Sequence, residues 1–79
     1  MRATVFVRPK QGILDPQGEA VQGSLRKLGF DVSSVRVGRV IDLELDVHGD
    51  DQRAQVERMC TELLANPLIE SFEIQLEES

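Results

Sequence analysis

Tryptophan and tyrosine are absent from this chain of 79 residues, and phenylalanine occurs only three times. Platforms for base stacking are therefore scarce. Cations are also outnumbered: nine Lys and Arg against 14 Asp and Glu leave a formal charge of −5. Phosphate backbones need a basic face, so nucleic acid is excluded as a partner. There is one histidine, His48, and one cysteine, Cys60. A single thiol forms no internal disulfide, which suits a reducing cytoplasm, and no zinc-binding spacing is present. No Ser-His-Asp set can be built convincingly on one histidine. No segment approaches the roughly 20 apolar residues of a membrane span. Met1 to Val7 holds two polar residues and no long apolar run, so no signal peptide is expected. The length implies one domain over 1–79 with a thin core, because a chain of this size buries only about 60–65% of its unfolded surface. Such domains often borrow stability from a partner or an identical copy.

What is present is organised around residues 7 to 21. An apolar strand enters this stretch and an amphipathic helix leaves it, with two prolines, two glycines and two cations between. Pro9 stops the strand because it has no N–H for a ladder. Gly12 permits a backbone angle that other residues avoid. Asp15 followed by Pro16 marks a helix start: the carboxylate accepts an orphan N–H, and proline needs none at the first helical position. This is a shaped connection, either a plain structural turn or a contact surface.

Ala3, Val5 and Val7 alternate with Thr4, Phe6 and Arg8, the period of a half-buried strand. The first helix is expected from about Asp15 to Leu28, with Val21, Leu25 and Leu28 as its apolar stripe and Gly29 closing it. Gly18 and Gly23 lie inside it. Gly23 reads as tolerated or close-packed, and Gly18 as a place where another chain could approach the backbone. Phe30–Val37 is expected as a second strand and Val40–Val47 as a third. A hairpin at Gly38 with an odd loop sets Val37 opposite Ile41, Val35 opposite Leu43 and Arg36 opposite Asp42, the choice that keeps the apolar face continuous. Asp50 or Asp51 can cap a second helix whose stripe is Val56, Met59, Cys60, Leu63 and Leu64. Asn66-Pro67 ends it. Ile69–Leu76 is the last strand, with Phe72, Ile74 and Leu76 inward, and the last three residues form a frayed tail.

The order β-α-β-β-α-β gives an α+β, ferredoxin-like domain: a four-stranded antiparallel sheet with two helices on one face. The other face, with Thr4, Phe6, Arg8, Arg36, Asp42, Glu44, Glu73 and Gln75, is mixed and charged. His48, beside a turn, reads as a solvated surface group. Cys60, on an apolar stripe, reads as a core filler and not a nucleophile. Asp42, Glu44 and Asp46 form a solubilising face in preference to a metal site. Gly12 and Gly18 match no phosphate-cradling spacing. No catalytic or metal site is assigned, and the chain is not a self-sufficient enzyme. Arg8, Lys10, Arg36 and Arg39 fall near the end of the first strand, its loop and the hairpin, and in a ferredoxin-like layout they need not form one patch. They are either scattered surface cations or partners for acidic groups on another subunit.

Pro9-Lys10-x-Gly12-Ile13-Leu14-Asp15-Pro16-Gln17-Gly18-x-Ala20-Val21, then Leu28-Gly29-Phe30 and Val35-Arg36-Val37-Gly38-Arg39, resemble the PurS family, small subunits of bacterial and archaeal phosphoribosylformylglycinamidine synthase. The similarity is dense from Val5 to Leu45 and looser beyond. Ile13, Arg39 and Asp42 depart mildly from the valine, lysine and glutamate common there. The resemblance implies a non-catalytic, cytoplasmic subunit of an amidotransferase complex. It would act as a homodimer or tetramer between a glutaminase subunit and a synthetase subunit, helping ammonia across. ATP and Mg²⁺ would belong to the large subunit, with no cofactor in this chain. The partner-contact candidates are Arg8, Lys10, Gly12, Gln17, Gly18, Arg36 and Arg39. An alternative is an ACT-like regulatory module that binds an amino acid where subunits meet. It shares the element order and also carries a glycine and an apolar pair after the first strand, as Gly12-Ile13-Leu14 do here.

Overall fold

The computed structural model describes residues 1–46 and 51–77. Its elements are β1 (Arg2–Pro9), α1 (Pro16–Lys27), β2 (Arg39–Glu44), α2 (Gln52–Met59), a π-helical turn (Cys60–Leu64) and β3 (Glu70–Glu77). Among the described residues the strands form a three-stranded antiparallel sheet in the order β2-β1-β3. β1 is central because its inward side chains, Ala3, Val5 and Val7, are fully apolar and meet apolar partners. Val5 lies between Ile41 and Ile74, and Ala3 between Leu43 and Leu76. α2 and the π-helical turn close this face by adding Val56 and Cys60 to the buried core. The opposite face is polar and carries an Arg2–Glu44 ion pair at 3.1 Å and a Thr4–Asp42 hydrogen bond at 3.2 Å.

The expected hairpin does not form. Among the described residues Phe30–Val37 pairs with no strand, and the chain passes through Gly38 into β2 without reversing. The Val37–Ile41, Val35–Leu43 and Arg36–Asp42 pairings are therefore absent, and Asp42 faces Thr4 instead. Two causes are visible. A three-residue hairpin loop needs a residue at positive φ, and only Gly12 and Gly29 adopt one among the described residues. Gly38 is instead packed against the backbone of β1, where a Cβ would strike the Val7 carbonyl. The fourth strand of the expected sheet is thus absent from it among the described residues.

Nor do both helices cover one face. α1 starts and stops as its sequence dictates: Asp15 accepts the Gly18 N–H at 3.1 Å, and Gly29 takes φ 97°. The Gly29 and Phe30 N–H groups then donate to the Arg26 and Leu25 carbonyls, both at 3.0 Å, a Schellman closure. Yet its stripe is not docked on the sheet: Val21 is 41% and Leu28 74% exposed. α1 and the extended residues after it project from the sheet as an arm, and the molecule measures 50 × 27 × 14 Å. Gln22 and Arg26 bind the arm together by donating to the Val32 carbonyl, Gln22 at 3.3 Å and Arg26 at 3.1 Å.

The second-helix stripe also changes phase. At Cys60 the bonding widens to i→i+5, with the Ala65 N–H donating to the Cys60 carbonyl at 2.9 Å. The wider turn rotates Leu63 outward, leaving it 83% exposed, while Leu64 and Ala65 turn inward. Asp51 occupies the N-cap position of α2 but makes no side-chain capping bond. The readings for Val47, His48, Asp50 and the extreme C-terminus lie outside the described residues.

Candidate functional site

The β1–α1 connection and the extended residues 34–38 lie side by side, and Asp15 joins them. Its Oδ1 accepts the Gly18 N–H at 3.1 Å and its Oδ2 the Val37 N–H at 2.8 Å. The Val37 bond, then the Gly18 bond, holds the carboxyl below the usual aspartate range, and the nearby Arg36 charge adds to the effect. Gly18 is buried at this junction, and a Cβ there would meet the Val35 carbonyl and the Asp15 carboxylate. The expectation that Gly18 admits another chain is therefore corrected: its own chain fills that space. Gly23 has open space around it.

An open groove of about 630 Å³ runs along this junction, and Lys10, Gly12 and Arg36 line it. Gln17 and Arg39 line a second, on the other side of Asp15, with exposed Leu14 at its rim. Arg8, Arg36 and Arg39 share a third concavity. The sequence leaves open whether the cations form one patch; the straight run of the chain through Gly38 brings the three arginines together, while Lys10 lines the first groove with Arg36.

Arg39 has a structural task as well. Its guanidinium grips Glu70 with two bonds, at 2.7 and 3.1 Å, and also donates to the Leu64 carbonyl. Glu70 in turn accepts the Asn66 N–H at 2.8 Å. Arg39 first and Asn66 second hold the Glu70 carboxyl below its ordinary value. This clasp ties the start of β2 to the start of β3. Glu70 was not among the candidates, because 31 residues separate it from Arg39 and no local pattern marks the pair.

Cys60 is fully buried, and burial, with the Glu57 charge adding, pushes its thiol up, away from a reactive thiolate. No cluster of three or more His, Cys, Asp and Glu side chains is placed to hold a metal among the described residues. No helix among them is long and apolar enough to cross a membrane. Among the described residues, the site offers exposed cations, backbone and apolar side chains.

The family model PurS, described as phosphoribosylformylglycinamidine (FGAM) synthase, matches residues 2–78. The phosphoribosylformylglycinamidine synthase subunit PurS of Methanocaldococcus jannaschii is 38% identical, over 98% of this chain and 95% of that protein. The solved Bacillus subtilis PurS structure is similar with a TM-score of 0.90 at 37% identity, covering 98% of each chain. A chain of the Thermotoga maritima PurLQS structure is similar with a TM-score of 0.81 at 30% identity, covering 94% of this chain and 93% of that one.

Proposed function

Because the chain belongs to the PurS family of FGAM synthase subunits in purine biosynthesis, we propose that it is the non-catalytic assembly subunit that bridges the glutaminase and the ATP-dependent synthetase. The observation that carries this reading is the likeness to a chain of the T. maritima PurLQS assembly. The surface described above supports it: grooves beside the β1–α1 connection, arginines in a shared concavity, and large apolar side chains left exposed at Leu14, Leu28 and Phe30. In this reading the glutaminase releases ammonia. The synthetase, holding ATP and Mg²⁺, places it on formylglycinamide ribonucleotide. This chain, a homodimer or tetramer in the cytoplasm, aligns the two and helps ammonia cross. The four-stranded ferredoxin-like unit belongs to the assembled form and not to the single copy.

The test is capture. A tagged copy of this chain, mixed with the purified glutaminase and synthetase of its own source in the presence of glutamine, ATP and Mg²⁺, retains both. Retention of neither would overturn the proposal.

A further inference from the structure

Gly38 makes neighbours of two arginines that are distant in sequence. It packs on the backbone of β1, where a Cβ would strike the Val7 carbonyl and come within 3.3 Å of the Arg8 Cα. That approach sets Arg36, two residues earlier, beside Arg8. Both line a concavity of about 270 Å³, together with Phe6, Arg39 and Val40. Phe6 and Val40 are paired across the β1–β2 ladder. Arg8 is two residues beyond Phe6 on the same strand, so all three belong to the polar face of the sheet. Val40 is 59% exposed, and Phe6 is half-buried.

The two arginines are uncommitted. Among the described residues neither guanidinium makes a hydrogen bond or an ion pair; the ion pairs there use Arg2, Arg39 and Arg58. The Asp15 charge is near Arg36, but its oxygens are taken by the Gly18 and Val37 N–H groups. Acidic residues outnumber basic ones 14 to nine in this chain, yet no Asp or Glu lines the concavity. Arg39, at its wall, is gripped by Glu70. The wall is thus fixed and neutral, and two positive charges are left over beside an apolar floor.

We propose that this concavity binds a phosphate monoester carried on a small organic body, as in a sugar phosphate or a nucleoside monophosphate. Such an ester carries about −1.5 to −2 at neutral pH and has three acceptor oxygens. Two free guanidinium forks match that charge and that geometry. A carboxylate has one charge and would leave one arginine unanswered. The volume lies just below the roughly 300–1,000 Å³ of drug-sized pockets, so the body is small, and Phe6 with Val40 offers it apolar contact. Side chains stand roughly perpendicular to a sheet. The ligand therefore occupies the face and leaves the backbone edge of β2 free.

Ribose 5-phosphate, adenosine monophosphate and inorganic phosphate, titrated separately into the full chain at low ionic strength, test the site by amide chemical shifts. Both esters are expected to shift the Phe6, Arg8 and Val40 amides and to bind more tightly than inorganic phosphate, which has no body for the floor. Tighter binding of the nucleotide than of the sugar phosphate assigns the floor to a base, and equal binding assigns it to the sugar. Arg8→Gln or Arg36→Gln weakens binding about tenfold or more, as loss of a charge-assisted hydrogen bond implies. Arg53→Gln, on α2, leaves it unchanged. Affinity also falls as pH drops through about 6, where the ester loses its second charge while the arginines keep theirs. Absence of saturable ester binding, equal affinity for inorganic phosphate, or an equal loss in Arg53→Gln overturns the proposal. Binding of a glutamate-rich peptide with both esters inert also overturns it, and would make the concavity a surface for an acidic protein.

Discussion

Val56→Asp prevents the isolated chain from folding, whereas Leu63→Asp leaves it folded. Val56 is fully buried among Ala3, Val5, Val7 and Cys60, and the described core contains no buried polar side chain to receive a carboxylate. An isolated carboxylate in such a place has its pKa raised by about 3–5 units and takes up a proton, which at neutral pH costs about 4 kcal/mol before the lost packing of the valine is added. Total stability for small domains is about 5–15 kcal/mol, and a thin core sits at the low end. Leu63 belongs to the same apparent stripe, but the π turn places it 83% exposed. Substitution there changes stability by about 0.5 kcal/mol or less. Circular dichroism and urea melts of both variants check the pair. Equal damage from both would mean that the second helix continues regularly past Cys60.

Gly18→Ala destabilises the chain and loosens the arm from α1. A Cβ at position 18 meets the Val35 carbonyl oxygen, a backbone atom with no rotamer to give way. Overpacking of this kind costs about 1–3 kcal/mol, and a backbone obstacle favours the upper end. That outweighs the roughly 1 kcal/mol alanine gains over glycine inside a helix. Gly23→Ala, with nothing near its Cβ, shows the gain alone and raises the melting temperature. The same junction sets an acid response. Asp15 has its folded-state pKa lowered, chiefly by the Val37 and Gly18 N–H groups. The stability it contributes is complete above the unfolded value of about 3.9 and is lost as pH falls through the lower folded value. Asp15→Asn removes this part of the acid dependence. Melting temperatures at fixed concentration over an acid series read both effects. A Gly18→Ala melt matching that of Gly23→Ala would contradict the junction.

Much of this was legible because it is local. The alternation of Ala3, Val5 and Val7, and of Phe72, Ile74 and Leu76, identifies two strands and their inner faces, and both are observed. Asp15-Pro16 and Leu28-Gly29 mark the ends of α1 through capping chemistry that needs no tertiary context. What could not be read depends on distant partners or on phase. Val35 and Val37 alternate as a strand does, but alternation does not say which edge the strand joins. Leu63 matches a regular helical stripe, and nothing in Cys60–Leu64 announces the wider turn. The Arg39–Glu70 clasp and the gathering of Arg8, Arg36 and Arg39 arise only once the chain runs straight through Gly38. At the site, the candidates Lys10, Gly12 and Arg36 do line one groove, but Gly18 lies beneath the surface as a spacer.

The most direct test of the assembly role is synthesis of phosphoribosylformylglycinamidine by the purified glutaminase and synthetase, with and without this chain. It is run once with glutamine and once with ammonium as the nitrogen source. The account predicts that glutamine-driven synthesis requires the chain, whereas ammonium-driven synthesis by the synthetase proceeds without it. Equal glutamine-driven rates in its presence and absence would contradict the account.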